Sequence, residues 1–284
     1  MRVVPVVVAV LALGATAPKP PAAATLLAMP AIDWAPSAPG TERTTFEIQA
    51  DPNLWHTRVV AVRMDSSRFR FRVRGRVRNL APDWTVERAP SSATLAVNLG
   101  MYTGIVPWGW TVMSGQEVRP PGNGPLSNAI AWDAAGRLHW LAAHEIAPAR
   151  AAGHIVEAFQ AYPTLLDENG GIPSPLRTRG HGVDVDHRDG RLAIGVLDDG
   201  RLVVAITRFY ALGESSPALP IGLTLGEMAM LMRRLGCRRA VALDGGISAQ
   251  LMVREGRHAR IWRGWRAVPF GLVAEPTEHQ PAIQ

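Results

Sequence analysis

The sequence predicts an α+β fold: a single domain with a mixed, largely antiparallel β-sheet and a few packed helices. Three observations carry this expectation. Short apolar runs separated by Gly and Asp turns recur along the chain, which is hairpin patterning. Only one segment shows marked helical spacing together with both of its end signals. Strands and helices do not alternate in the way that builds a doubly wound parallel sheet.

Taken in order, Met1-Arg2 gives a positive start, Val3 to Leu13 is apolar, and Ala15-Thr16-Ala17 supplies a small-x-small cleavage pattern. Residues 1–17 therefore read as a signal peptide cleaved near Ala17; the apolar run is short for a retained anchor. No cysteine follows it, so a lipid anchor is not expected. The interior has no run of about 20 apolar residues, and no stable membrane insertion is expected after cleavage. The expected location is periplasmic or secreted, in a bacterium. Residues 18–43 are rich in Pro and Ala and read as a linker. The domain is placed over 44–275, with a polar tail over 276–284.

Ser67 to Arg78 alternates arginine with Phe69, Phe71, Val73, Gly75 and Val77. Period two puts the apolar set on one face and the arginines on the other. Such a strip suits either a polyanionic partner or a solvated strand face that blocks edge pairing, and the second reading is favoured. Its Phe residues point inward, so it lacks the stacking aromatics of a nucleic-acid surface, and no nucleic-acid partner is expected. Ala93 to Val97 forms a short strand ending at Asn98. Ala129 to Trp132 and Leu138 to Leu141 flank one hairpin turn. Leu192 to Leu197 and Leu202 to Ile206 flank another at Asp198-Asp199-Gly200. Thr224 and Glu227 form a capping box that starts a helix; Leu225, Met228, Ala229, Met232 and Leu235 keep helical spacing, and Gly236 ends it. A strand from Ala240 to Leu243 runs into Asp244-Gly245-Gly246, and a hairpin follows around Glu255-Gly256.

Apolar residues make up 47% of the 284, enough for a sizeable core. Net charge is +6, and Lys19 is the only lysine. Arginine forks match phosphate and carboxylate oxygens, although a GC-rich genome gives the same composition without functional pressure. Cys237 is the one cysteine, so no internal disulfide forms, and it reads as a buried structural residue.

Asp244 stands at a strand end, where a side chain can leave the sheet for a cleft. The two glycines beyond it permit tight turns and close approach of a ligand. Ser248 and Gln250 add hydroxyl and amide groups to the same segment. Alone, Asp-Gly-Gly reads as a turn.

The surrounding segment, Leu235 to Leu251, resembles the C-terminal signature of the phosphodiester glycosidase family. Three further blocks match in order. Ala96 to Tyr102 followed by Pro107-Trp108-Gly109 resembles the family's Asn and Pro-x-Gly block. Phe159 to Leu166 resembles its Gln-x-x-Pro-x-Leu block, and Arg191 to Val196 its Arg-x-Ala-Ile-Gly hairpin. Four ordered blocks are far more specific than one. Ile247 stands where the family often has glycine, and Ala161-Tyr162 replaces small residues before Pro163. Both departures bear on pocket shape, so the resemblance does not name the sugar.

The resemblance implies hydrolysis of the bond between an anomeric carbon and a phosphate oxygen, in a phosphorylated glycan or sugar-phosphate substrate. Charge grows positive on the sugar and negative on the phosphate. On this basis Asp244 acts at the anomeric carbon and Arg191 holds the phosphate. Asn98, Gln160, Gly245, Gly246 and Ser248 bind substrate. The expected function is that of an exported hydrolase of sugar-1-phosphodiesters in envelope or extracellular glycans. The alternative is a non-catalytic glycan-binding or exopolysaccharide-assembly protein with the same fold; a metal-dependent phosphodiesterase is a third option. His181, Asp184, Asp186 and His187 have metal-ligand chemistry, but their Gly-rich segment reads as an exposed loop before Arg191. No cofactor is expected, and a divalent metal is kept only as that third option.

Overall fold

A computed structural model describes residues 29–48, 56–76, 81–209 and 222–277. The expected signal peptide lies outside them. Every strand pair among the described residues is antiparallel, and the strands form three main sheets rather than one. Two α-helices accompany them, Ala143–Ala152 and Leu225–Arg234. The fold is thus predominantly β: the antiparallel part of the expectation stands, while the mixed sheet is corrected. No parallel pair occurs among the described residues, because successive strands are joined largely by hairpins that return the chain beside itself.

The largest sheet has seven strands in the order Ala35–Ala38, Thr41–Ile48, Thr57–Met64, Leu202–Phe209, Leu192–Leu197, Cys237–Ala242 and Thr164–Leu166. Its central strands are covered on both sides, which is why they read as unbroken apolar runs. Alternation still sorts them: Val60, Val62 and Met64 face one core, Val59 and Ala61 the other. The second core is closed by Met228, Ala229, Leu231 and Met232 of helix Leu225–Arg234. The first core also takes residues from both five-stranded sheets, including Phe71 stacked on Trp132 at 4.9 Å between centroids.

Residues before 44 are not a linker throughout. Ala35–Ala38 pairs with Thr41–Ile48 as an edge strand, a position where Pro36 costs no ladder bond on its open side. At the other end, Pro276 closes strand Phe270–Pro276, so the polar tail begins later than expected. Cys237 opens its strand and is buried, as expected, and burial pushes its thiol up to about 12.

The arginine-rich segment forms edge strand Phe69–Gly75. Phe69, Phe71 and Val73 are buried, and Arg72 and Arg74 pair with Glu275 at 3.7 and 3.4 Å. The outward N–H of Val73 donates to buried Glu157 at 2.9 Å. Glu275 thus serves two arginines of the strip, Arg70 remains on the solvated face as the structural reading expects, and Glu157 meets the open edge at Val73.

The capping box forms as expected: the Thr224 hydroxyl accepts from Glu227 N at 3.2 Å and Glu227 accepts from Thr224 N at 2.8 Å. Thr224→Ala should cost about 1 kcal/mol, read as a lower urea midpoint with an unchanged slope. An unchanged midpoint would mean that packing alone sets this helix end.

Candidate active site

Strand Cys237–Ala242 belongs to the seven-stranded sheet, and Leu251–Glu255 to a five-stranded one. Residues 244–250 cross between them, so Asp244 sits at the seam of two sheets. Asn98, fully buried at the end of its strand, fastens both ends of this crossing. Its Nδ2 donates to Asp244 O at 2.8 Å, and its Oδ1 accepts from Gln250 N at 2.8 Å. Gly100 packs so closely that a Cβ there would lie 2.3 Å from Asp244 Cβ. Asn98→Ala should release the Asp244 carbonyl and leave the buried Gln250 N–H without a partner. The expected loss is about 1–3 kcal/mol of stability together with slower turnover. Chemical unfolding and steady-state rates check it; full activity would remove Asn98 from the positioning of Asp244.

Gly246 begins a short 3-10 turn, Gly246–Ser248, with φ +56°, a left-handed conformation that favours glycine. Its N–H donates to Gly190 O at 2.6 Å, and a Cβ on it would come within 2.6 Å of Asp189 Oδ2. Gly245 approaches Gly190 O just as tightly. The two glycines thus let the Asp244 turn lie flat against the 189–191 segment, which explains their place in the motif.

The result is a cleft of about 360 Å³ lined by Tyr102, Gly104, Asp189, Asp244, Gly245, Gly246, Ile247, Ser248 and Arg266. Burial pushes the Asp244 carboxyl above the usual aspartate range. A hydrogen bond from Ser248 and the charge of Arg266 pull it down, and the charge of Asp189 pushes it up. Asp189 is likewise raised by burial, while the charge of Arg191, the Gly190 N–H and His187 pull it down. Two carboxylates line one small cleft, both raised by burial and with the charge of Asp189 acting on Asp244, which is an arrangement suited to acid–base chemistry. Tyr102 is a wall rather than an acid: its hydroxyl donates to Phe270 O at 2.8 Å, and burial raises its phenol further.

The structure therefore brings together Asp244, Gly245, Gly246 and Ser248 of the expected set. Asn98 lies directly behind Asp244. Arg191 does not line the cleft. Its Nε donates to Leu223 O at 2.7 Å and its Nη2 to His187 O, so its guanidinium braces the loop that carries Asp189. Gln160 is also placed elsewhere. Its Oε1 accepts from Trp110 N and Gly122 N at 2.9 Å each, and its Nε2 donates to Gly122 O and Ser127 Oγ. A side chain so fully engaged fastens the 109–127 segment instead of meeting a ligand.

Asp189, Arg266 and Tyr102 were not singled out by residue type. Asp189 had one usable signal, its place two residues before Arg191 in the hairpin block; Arg266 had none. The loop with His181, Asp184, Asp186 and His187 does not gather them. Asp184 accepts from the N–H groups of Asp186 and His187, while Arg179 holds Asp186 in an exposed ion pair at 2.6 Å. Among the described residues, the group within metal-binding reach is His144, Glu145 and Glu168. There Glu145 already caps its helix by accepting from Ala142 N.

The family model of the phosphodiester glycosidases matches residues 91–275. No curated protein matches the chain. Among solved structures, a hypothetical protein from Synechocystis superposes with a TM-score of 0.62 at 14% identity, covering 88% of this chain and 64% of that one. This chain thus spans less than two thirds of that relative's length. The zebrafish N-acetylglucosamine-1-phosphodiester alpha-N-acetylglucosaminidase catalytic domain, auto-inhibited by its pro-peptide, superposes with a TM-score of 0.62 at 16% identity. It covers 87% of this chain and 88% of that one. At such identities the likeness speaks for the fold. No helix among the described residues is long and apolar enough to cross a membrane.

Proposed function

This chain belongs to the phosphodiester glycosidase family, and from that premise we propose that it is an exported hydrolase of sugar-1-phosphodiester bonds in envelope or extracellular glycans. The observation that carries the reading is the cleft in which two carboxylates, Asp244 and Asp189, face one guanidinium, Arg266. Water replaces the phosphate at the anomeric carbon, giving free sugar and a phosphomonoester. As the carbon–oxygen bond breaks, the sugar gains positive charge and the phosphate oxygen negative charge. Asp244 is the carboxylate at the anomeric carbon. The nearby Ser248 hydroxyl favours its ionised form. Arg266 takes the phosphate, the role first expected of Arg191. Asp189, favoured as a carboxylate by the charge of Arg191 and 3.6 Å from His187 Nε2, manages the proton of water or leaving group. Export rests on the N-terminal pattern alone: Met1-Arg2, the apolar run and Ala15-Thr16-Ala17.

A panel of sugar-1-phosphate diesters tests the reaction. Release of free sugar and phosphomonoester supports it; binding across the panel without turnover points instead to a glycan-binding protein. The pH profile adds a second check. Asp244 acts ionised, and burial raises its pKa, so kcat/KM should fall as pH drops through a value above the ordinary aspartate range of roughly 4. An acid limb at or below about 4 would remove Asp244 from the step that this profile reports.

A further inference from the structure

Three large hydrophobic side chains are exposed among the described residues: Ile105 at 42%, Ile247 at 39% and Trp265 at 63%. Each is tied to the same cleft, either by lining it or by adjoining a lining residue in sequence. Ile247 lines it, Ile105 follows the lining residue Gly104, and Trp265 precedes the lining residue Arg266. The N–H of Trp265 donates to Ile247 O at 2.7 Å, which ties the tryptophan backbone to the Asp244 turn. Exposed apolar residues scattered singly need no explanation, but Ile247 in the cleft wall with exposed Trp265 bonded to its backbone is a local apolar pairing beside a polar cleft. Buried Arg208 adds a fixed support: its Nη2 donates to Ala249 O and to Arg263 O, at 2.8 Å for the latter, joining the segment before Trp265 to the end of the Asp244 turn.

We propose that Ile105, Ile247 and Trp265 form a subsite for an apolar or aromatic leaving group attached to the phosphate. This rests on the proposed hydrolysis and names the substrate class more narrowly: sugar-1-phosphodiesters whose second ester carries an apolar moiety. The placement follows from order along the site. Asp244 and Asp189 line the cleft where the sugar carbon is proposed to react. Arg266, which takes the phosphate, follows Trp265 in sequence, and Trp265 is bonded through its backbone to Ile247, so these two apolar side chains adjoin the phosphate position. A small polar alcohol would leave them in water. An apolar one removes both surfaces from water, and an indole face adds stacking with an aromatic ring.

The test uses product-like ligands, so it does not depend on turnover. Benzyl phosphate and methyl phosphate are titrated into the full chain by calorimetry, with Trp265→Ala and Trp265→Phe alongside. Benzyl phosphate is expected to bind about tenfold more tightly than methyl phosphate. Trp265→Ala should erase the preference and Trp265→Phe should keep most of it. Equal affinities for the native chain would overturn the subsite, as would a preference untouched by Trp265→Ala. Binding of the native chain to neutral phosphatidylcholine vesicles with no benzyl preference would assign the rim to a membrane surface and also overturn it. The two proposals separate cleanly. Turnover of the diester panel without a benzyl preference removes only the subsite; a benzyl preference without turnover removes only the hydrolysis.

Discussion

Asp244→Asn should lower kcat by at least about a hundredfold while the protein melts at pH 7 no lower than the native chain. The first half follows from the proposed role: an amide cannot offer the negative charge that the developing sugar cation needs, and loss of a positioned acid–base or charge-stabilising group costs roughly 10²–10⁴ in rate. The second half follows from burial. The folded-state pKa of Asp244 is raised above its unfolded value, chiefly by desolvation, and the charge of Asp189 adds to the rise. Such a group contributes stability that is fully present below the unfolded pKa and is lost as pH rises through the folded pKa. At neutral pH the ionised side chain therefore weighs against the fold, and a neutral isostere relieves it. The Asn98 bond reaches the Asp244 carbonyl, not its carboxylate, so the turn keeps its anchor. Phosphomonoester release and a thermal melt read both halves. Near-native turnover would remove Asp244 from the chemistry, and a large drop in melting temperature would show that the carboxylate holds the turn together.

Glu227→Ala should cost about 3–5 kcal/mol of stability. Glu227 is nearly fully buried and takes both ends of the Arg188 fork at 2.7 Å, while its Oε2 also accepts from Thr224 N at the helix start. Removing the carboxylate leaves a half-buried guanidinium without its counter-charge and an N-terminal helix N–H without its cap. Arg188 immediately precedes Asp189, so the same substitution loosens the loop that carries the second cleft carboxylate. The urea midpoint should fall sharply, and turnover should fall even where the chain remains folded. Glu227→Gln keeps the shape and the cap acceptor but not the charge, and should recover only part of the loss. A cost below about 1 kcal/mol would place this pair with ordinary surface ion pairs.

Much of the β-architecture was legible because hairpins are local. The turns at Asp133-Ala134-Ala135-Gly136 and Asp198-Asp199-Gly200 stand where expected, and their flanking strands pair in register. The capped helix was legible because its start and stop signals lie within its own thirteen residues, from Thr224 to Gly236. Helix Ala143–Ala152 was not, since it buries only Ile146, carries Pro148 inside and shows almost no apolar stripe. The division into three sheets was hidden because it depends on which distant strands meet, such as Thr57–Met64 with Leu202–Phe209. The site follows the same rule. Asp244, its glycines and Ser248 form one short segment whose type and order are visible. Gln160 and Arg191 were placed by block resemblance, which locates a residue in the chain without showing what its side chain grips. Arg266 and Tyr102 enter the cleft only through tertiary packing.

The crossing at 244–250, pinned at both ends by Asn98, makes the Asp244 loop a rivet between two layers. Cutting or permuting the chain should therefore have unequal consequences by location. New termini at Asp199-Gly200, on an exposed hairpin tip, leave the rivet whole. New termini within 244–250 would part the layers and displace Asp244 together. For anyone building reporters from this scaffold, the proposed turnover would then double as a sensor of how the layers are mated.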